Sequence, residues 1–419
     1  MRILVVLNHY GNFVTEGEAQ VAQAEFELLR SHGHIVSKYA ATNAEIDQLT
    51  VIGKCQSLLQ VGWSKAGYER IKTAIDAFRP DLMHVHNYWF RLTPSIFAAA
   101  KERGVATVMS LQNFRLVCPA SVFLRKGKPC ELCMDGKGSR ILIHRCYPGG
   151  SWLKSLLAYR LYHETQKREL LAPLLDAYIA PTEFGRQKVL SGGLPPEKVY
   201  LKPNFMFDPL NGAKPTTPNA GAIYVGRISP EKGVLGLVEA WRDIDYPLTI
   251  VGDGPQLAEA RKLGGCRVRF LGNRPHEEVP RLIEQSAFLV FPSGWYEGFG
   301  LTLIEAMAVG RAVVATDLGS RREIVRDGQT GILYRNGDIR DLTSKVRRLV
   351  SDRNLCARMG SEARKVYLAE YTPDKNYETL IRIYEEAVNR SRQRARENPA
   401  APPCCSYEER GPGAELPVV

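Results

Sequence analysis

Two acids set the chemistry this chain could do. Glu297 and Glu305 are separated by seven residues, and glycines follow the first acid in the run Pro292-Ser293-Gly294-Trp295-Tyr296-Glu297-Gly298-Phe299-Gly300-Leu301. Phe288 to Phe291 reads as a short buried strand, Pro-Ser-Gly as a loop, and Leu301 to Ala308 as apolar at helical spacing. The acids therefore flank a strand–loop–helix junction, where ligands bind in open α/β sheets. A helix start with small residues lets an anionic or hydroxyl-rich ligand approach bare N–H groups. One acid before the turn and another two helical turns later can grip hydroxyls at both ends of one ligand. A sugar at one end, a ribose at the other and phosphates between would suit them; two solvated surface glutamates are the plainer alternative.

A second motif, Gly226-Arg227-Ile228-Ser229-Pro230-Glu231-Lys232-Gly233, follows another apolar run. Arg227 and Lys232 both leave a strand end and can converge on one phosphate. Two cations there would stabilise charge growing on a leaving diphosphate; a solvated basic turn is the alternative. Val251-Gly252-Asp253-Gly254-Pro255 also follows a strand, and its glycines would allow close approach to a base or ribose, or simply form a tight turn. No G-x-G-x-x-G follows any strand, which argues against a nicotinamide or flavin enzyme.

In the first half, Gly17 opens a helix whose start could face the same ligand from the opposite side. His84 and His86 alternate on one strand and point to one face, so one of them, His86, could line a cleft or serve as a hydrogen-bonded structural group. Cys118, Cys130, Cys133 and Cys146 cluster in an irregular segment, and the Cys130/Cys133 spacing is that of a metal knuckle. A structural zinc would staple a loop lacking its own core; free thiols are the alternative. Trp152-Leu153-Lys154 through Lys167 and Arg168 forms a basic helix with aromatics, readable as a contact for an anionic membrane or as a core helix with a solvated side.

The elements that must position these groups alternate between strand and helix, which implies parallel sheets. Strands are expected at 3–7, 35–39, 82–86, 106–111 and 177–180, then at 222–225, 248–251, 268–271, 288–291, 312–315 and 332–334. Helices fall between, including 153–171 in the first half and 321–326 in the second. The fold class is α/β, two doubly wound halves across a cleft. The first domain spans 1–204, with a cysteine-rich insertion at 113–150. A linker covers 205–217 and a second domain 218–372. A helix from Pro373 to about 393 closes the structure, and 397–419, rich in Pro, Gly and charge, reads as disordered. The 419 residues carry a net charge of +11, which favours anionic partners. The Met1–Leu7 run is too short for a signal h-region and no run of about 18 apolar residues occurs. A cytoplasmic location with reduced cysteines is the resulting expectation.

Together the Gly226-Arg227/Glu231-Lys232-Gly233, Val251–Pro255, Pro292-Ser293/Glu297–Leu301 and Glu305-Ala306 motifs resemble glycosyltransferase family 4. The resemblance runs from Arg2 to about Val388, and the segment Asn113–Pro119 with Cys-Glu-Leu-Cys looks like a bacterial subgroup with a cysteine-bearing insertion. It implies the GT-B fold and a retaining, metal-independent transfer from a nucleoside-diphosphate-sugar. Arg227 and Lys232 would hold the diphosphate, and Glu297 the sugar hydroxyls with help from the N–H groups of Gly298, Phe299, Gly300 and Leu301. Glu305 would hold the ribose, and the last helix would cross back to the first domain. The family usually has His where this chain has Gln112. Glutamine can bond a sugar hydroxyl but cannot act as acid or base. The acceptor implied is a saccharide or lipid-linked saccharide at the inner membrane face, with no role for nucleic acid. A non-catalytic nucleotide-sugar binder is the main alternative; an epimerase on the same fold fits the Arg/Lys/Glu spacing less well.

Overall fold

The computed structural model describes residues 1–9, 17–43, 62–89, 92–147, 150–167, 171–218 and 221–397. The expected loop after His9, residue Arg168 and the tail beyond 397 lie outside these residues.

The first sheet joins β1 (Arg2–His9), β2 (Ile35–Thr42), β3 (Leu82–Val85), β4 (Ala106–Ser110), β7 (Ala177–Ala180) and β8 (Val199–Leu201) in the order β2-β1-β3-β4-β7-β8. β5 (Leu124–Arg125) and β6 (Lys128–Pro129) form a small hairpin in the insertion. The second sheet joins β9 (Ala222–Val225), β10 (Leu248–Val251), β11 (Val268–Gly272), β12 (Phe288–Phe291), β13 (Ala312–Thr316) and β14 (Gly331–Tyr334) in the order β11-β10-β9-β12-β13-β14. Both six-stranded sheets are parallel throughout. Central strands such as Leu82–Val85, Phe288–Phe291 and Ala312–Thr316 are buried at every position. Helices cover both faces, so these strands read as continuous apolar runs rather than alternating ones. The α/β doubly wound expectation is met.

In the second sheet β9 pairs with β10 on one side and β12 on the other. The strand order reverses there, so the loops after β9 and β12 stand side by side at the topological switch point. These loops carry Arg227/Lys232 and Glu297.

The helix Pro373–Glu397 buries Leu380, Ile383, Tyr384 and Ala387 against Ile3, Val5, Leu82 and Val108 of the first sheet. It runs past the expected end because Arg394 reaches the Asp176 carboxylate at 2.6 Å and Arg390 reaches the Asp176 carbonyl at 3.0 Å. The linker is fastened to the second domain by a two-pronged Arg364–Asp208 pair at 2.7 Å. Of the stretch expected at 153–171, Trp152–Lys167 and Leu171–Leu174 are helical, and 168–170 lie outside the described residues. One helix boundary differs from expectation. The helix at Arg321 is a single turn, ended by extended Val325.

Candidate functional site

Three side chains anchor Glu297. Its Oε1 accepts hydrogen bonds from Lys232 Nζ at 2.6 Å, Ser293 Oγ at 2.6 Å and Trp295 Nε1 at 2.7 Å. Burial acts to raise its pKa, but the Lys232 ammonium and these bonds outweigh it and hold the carboxyl below its usual range. The loop is fixed from behind. Thr316 Oγ1 donates to the Ser293 carbonyl at 2.7 Å, Ser320 Oγ to the Glu297 carbonyl at 3.0 Å, and Arg321 to the Trp295 carbonyl at 2.8 Å. Arg321 is fully buried, and desolvation lowers its pKa to about 10. Gly233 has φ +71° and abuts the Pro292 carbonyl, so any side chain there would push Lys232 away from Glu297.

Arg227 lies 61% exposed, with a guanidinium nitrogen 2.5 Å from Glu231. Glu231 also accepts from Ser229 Oγ at 2.7 Å. Both expected phosphate-binding cations are thus already paired with carboxylates. A diphosphate would have to share Lys232 with Glu297 and draw Arg227 off Glu231. The glycines of the Val251–Pro255 loop serve the packing of one loop on another. Side chains at Gly252 and Gly254 would strike the carbonyls of Gly226 and Ile228, so these glycines let two loops pack together. Asp253 is exposed, and its carboxylate accepts from Gly254 N at 2.6 Å.

Glu305 sits on the helix Leu301–Ala308, which Gly300 opens at φ +97°. That carboxyl lines a cavity of about 560 Å³ between the lobes. The wall also includes Gln20 and Ala24 of the helix Gly17–Ser31, Phe205 and Phe207 of the linker, and His276. Burial pushes Glu305 up to about 7; its nearest basic group is His276 Nδ1, at 3.9 Å.

The lobes touch around this site. Leu301 Cδ1 lies 3.7 Å from where a Gly17 side chain would begin, and Gly298 abuts the Gln112 carbonyl. Thr182 Oγ1 reaches the Gly298 carbonyl at 3.3 Å. Phe299 packs in the core against Tyr371, leaving only its backbone toward a ligand. Glu323 accepts from the N–H groups of Glu183 and Phe184 at 2.8 and 2.5 Å, capping a first-lobe helix from the second lobe.

Two expected groups have other partners. Gln112 and Asn204 exchange both amide bonds, at 3.0 and 2.9 Å, so a sugar hydroxyl reaching Gln112 would have to compete with Asn204 at the end of the first domain. His86 is 2% exposed and does not open onto the interlobe cavity. It lies 3.4 Å from Glu25, as does His84, which also bonds Tyr384 and Ser110. Among the described residues, Glu25, His84 and His86 are the only side chains drawn close enough together to share a metal. Lys202 Nζ already stands 2.7 Å from Glu25 and fills the cation's place. This buried cluster was not anticipated. Its signal is present, because Glu25 falls on the buried face formed by Val21, Ala22, Leu28 and Leu29.

The four cysteines carry free thiols. Desolvation, with Cys118, Cys146 and Cys130 adding to it, raises the Cys133 thiol to about 12. Their sulfurs are neighbours but are not gathered as tightly as the Glu25 group.

Residues 213–366 match the family described as Glycosyl transferases group 1. The second lobe carries a glycosyl transferases group 1 domain. The chain is 33% identical over 174 residues to alpha-D-kanosaminyltransferase of Streptomyces kanamyceticus, covering 39% of this chain and 45% of that protein. It is 31% identical over 170 residues to N-acetyl-alpha-D-glucosaminyl L-malate synthase of Bacillus anthracis, covering 38% and 44%. The chain thus spans about half the length of the curated relatives it matches. Anabaena Alr3699/HepE in complex with UDP-glucose superposes with a TM-score of 0.65 at 17% identity, over 91% of this chain and 99% of that one. The architecture is the GT-B fold. Among the described residues no helix is long and apolar enough to cross a membrane.

Proposed function

We propose that this chain is a retaining glycosyltransferase of family 4, moving a hexose from a nucleoside-diphosphate-sugar to an acceptor hydroxyl. One observation carries the reading. A triply anchored carboxylate, Glu297, shares Lys232 at the switch point, and a second acid, Glu305, lies on the following helix in the interlobe cavity. The HepE complex supports a uridine-diphosphate-type donor.

In this reading Arg227 and Lys232 take the diphosphate, Glu297 the sugar hydroxyls and Glu305 the ribose. The bond from the anomeric carbon to the phosphate oxygen breaks, and the acceptor oxygen bonds that carbon on the same face. The acceptor proton goes to the departing diphosphate, and Arg227, Lys232 and the helix start after Gly300 stabilise its charge. Contact between the lobes excludes water, so transfer outruns hydrolysis. The acceptor is a saccharide or lipid-linked saccharide of cell-surface polysaccharide or glycolipid synthesis, reached from the cytoplasm. No metal takes part in transfer. A structural zinc on Cys118, Cys130, Cys133 and Cys146 is part of the proposal, supported by the soft ligand set, and its binding would draw the four sulfurs closer together.

A thermal-shift screen of nucleotide-sugars tests donor binding, because a ligand specific for the native state raises the midpoint by mass action. Arg227→Ala should fold normally and lose at least about a hundredfold in turnover. Near-normal turnover in that variant overturns the assignment. The occupied Gln112 amide favours one second reading, a nucleotide-sugar binder without transfer. Donor stabilisation with neither transfer to a lipid extract nor slow donor hydrolysis would select it.

A further inference from the structure

The insertion and the helix after it hold an unusual share of exposed apolar surface. Ile143 is 76% exposed, Trp152 54%, Leu153 50% and Leu132 43%. The other large exposed apolar side chains, Ile35, Leu201, Phe207 and Leu368, are scattered over the molecule. The four belong to one outgrowth. The helix Arg140–His144 packs on the helix Trp152–Lys167, and Arg140 bonds the Leu132 carbonyl. Lys126, Lys128, Lys137, Arg145 and Lys154 are exposed on the same outgrowth. Among the described residues Lys126, Lys128, Arg145 and Lys154 make no ion pair, and Lys137 lies near Asp135. The nearby acids are engaged, Asp135 by Arg140 and Glu131 by Lys188.

We infer that this outgrowth docks on an anionic lipid bilayer. Exposed bulky apolar side chains and unpaired cations carried on one outgrowth fit an interface that offers hydrocarbon beneath a layer of negative headgroups. The anionic charge matters because these cations have no carboxylate to compete for. The surface also differs from a membrane stripe along the whole 152–167 helix. Leu157, Ala158, Leu161 and Tyr162 of that helix are buried in the first lobe, and among its described side chains only those of the first turn, Trp152, Leu153 and Lys154, are exposed. The inference sharpens the membrane contact implied by a lipid-linked acceptor, but its test needs neither donor nor acceptor.

Full-length protein is floated with vesicles of phosphatidylcholine containing about one-quarter phosphatidylglycerol, and with phosphatidylcholine alone. The expected result is binding to the anionic vesicles, weakened by salt, with about tenfold or greater loss in Ile143→Ser/Trp152→Ser and in Lys126→Glu/Lys128→Glu. Thermal midpoints of both variants should match the parent, since the altered side chains are exposed. Arg227→Ala should float like the parent, which separates this surface from the transfer reading. Equal flotation of parent and variants overturns the inference, and so does equal binding to neutral vesicles. A dimer in light scattering that the Ile143→Ser/Trp152→Ser change dissolves would assign the patch to a second copy and also overturn it.

Discussion

The Tyr296 hydroxyl lies 2.8 Å from Glu131 Oε1, across the gap between the lobes. Glu131 stands between Cys130 and Cys133, and Tyr296 is the residue before Glu297. The insertion is therefore bonded to the loop carrying the anchored acid. Lys188 Nζ holds the other oxygen of Glu131 at 2.7 Å, and the Tyr296 ring packs on Phe184 and Phe123. Burial works to raise the Glu131 pKa, but the bonds from Lys188 and Tyr296 bring it below the usual value. Tyr296→Phe removes one charge-assisted bond at a partly exposed site, worth about 1 kcal/mol. Expressed wholly in transition-state stabilisation that energy is roughly a fivefold fall in kcat/KM, and any share that holds the folded lobes together lowers the thermal midpoint instead. Glu131→Gln keeps the shape and should retain most of the activity. An unchanged kcat/KM in Tyr296→Phe would mean that the contact does not help to hold the loop.

Lys232 and Arg227 should separate structural from chemical roles. Lys232→Met leaves the Glu297 carboxylate buried without its cation, at a cost of about 3 kcal/mol. Glu297 has a folded pKa below its unfolded one, so its contribution is present above about pH 4.5 and is lost as pH falls through the folded value. In Lys232→Met burial is no longer offset, the carboxyl takes up a proton more readily, and the deficit against the parent should shrink toward pH 4 (about, on the same linkage). Arg227→Ala should show no such stability loss at any pH. Denaturant unfolding of the three proteins at several pH values makes the comparison, and matching midpoints for Lys232→Met and the parent would contradict it.

What could be read in advance is what is local. Short, mostly apolar runs marked the central strands, because a strand buried on both faces is covered by apolar neighbours along its length. The Glu297–Glu305 junction was legible for the same reason, as strand, loop and helix are contiguous there. The partners of those acids were not. Thr316, Ser320 and Arg321, which fasten the Glu297 loop, arrive from the end of the next strand. Glu131 and Tyr296 are separated by 165 positions. Glu25, His84, Lys202 and Asn376 come from four distant segments and meet because the chain crosses between lobes twice at one place. Periodicity does not encode such meetings. Gln112 meets the same limit, since its amide partner Asn204 lies 92 positions further along the chain.

Glu305 should make donor binding pH-dependent. Its folded pKa, about 7, lies above the unfolded value, so the native state holds the proton longer. Stability of the free protein should therefore fall as pH rises from about 4.5 to 7, by roughly 3 kcal/mol at most. Ribose hydroxyls donate best to the ionised carboxylate, so donor Kd should tighten as pH rises through 7 (about, from the same linkage). Glu305→Gln should flatten both slopes, raise the midpoint of the free protein at alkaline pH and weaken the donor. Calorimetric titration with the donor across this range checks the sign; tightening at acid pH in the parent would contradict a ribose-binding role.

The thiol quartet predicts a metal content. Purified protein should carry about one zinc per chain, and Cys130→Ser/Cys133→Ser should carry none. Because Glu131 lies between these cysteines, loss of the metal should also loosen its bond to Tyr296. Chelation is then expected to lower kcat/KM in the parent and to have little effect in Tyr296→Phe. Elemental analysis showing no zinc in protein prepared with zinc present would leave the four as reduced free thiols.

Gln112 and Asn204 give the most direct separation of a hinge tie from a sugar ligand. Their reciprocal amide bonds join the end of β4 to the chain as it leaves the first lobe. Gln112→Ala strands the Asn204 amide in a part-buried position and should cost about 1–2 kcal/mol of stability. Asn204→Ala should cost about the same, and the double variant little more than either alone, because the two changes remove one shared pair of bonds. A sugar-binding Gln112 predicts another pattern. Its alanine variant would raise KM without lowering the midpoint, and Asn204→Ala would leave KM untouched. Unfolding curves and donor KM values for the three variants decide between them, and additive losses would dissolve the tie.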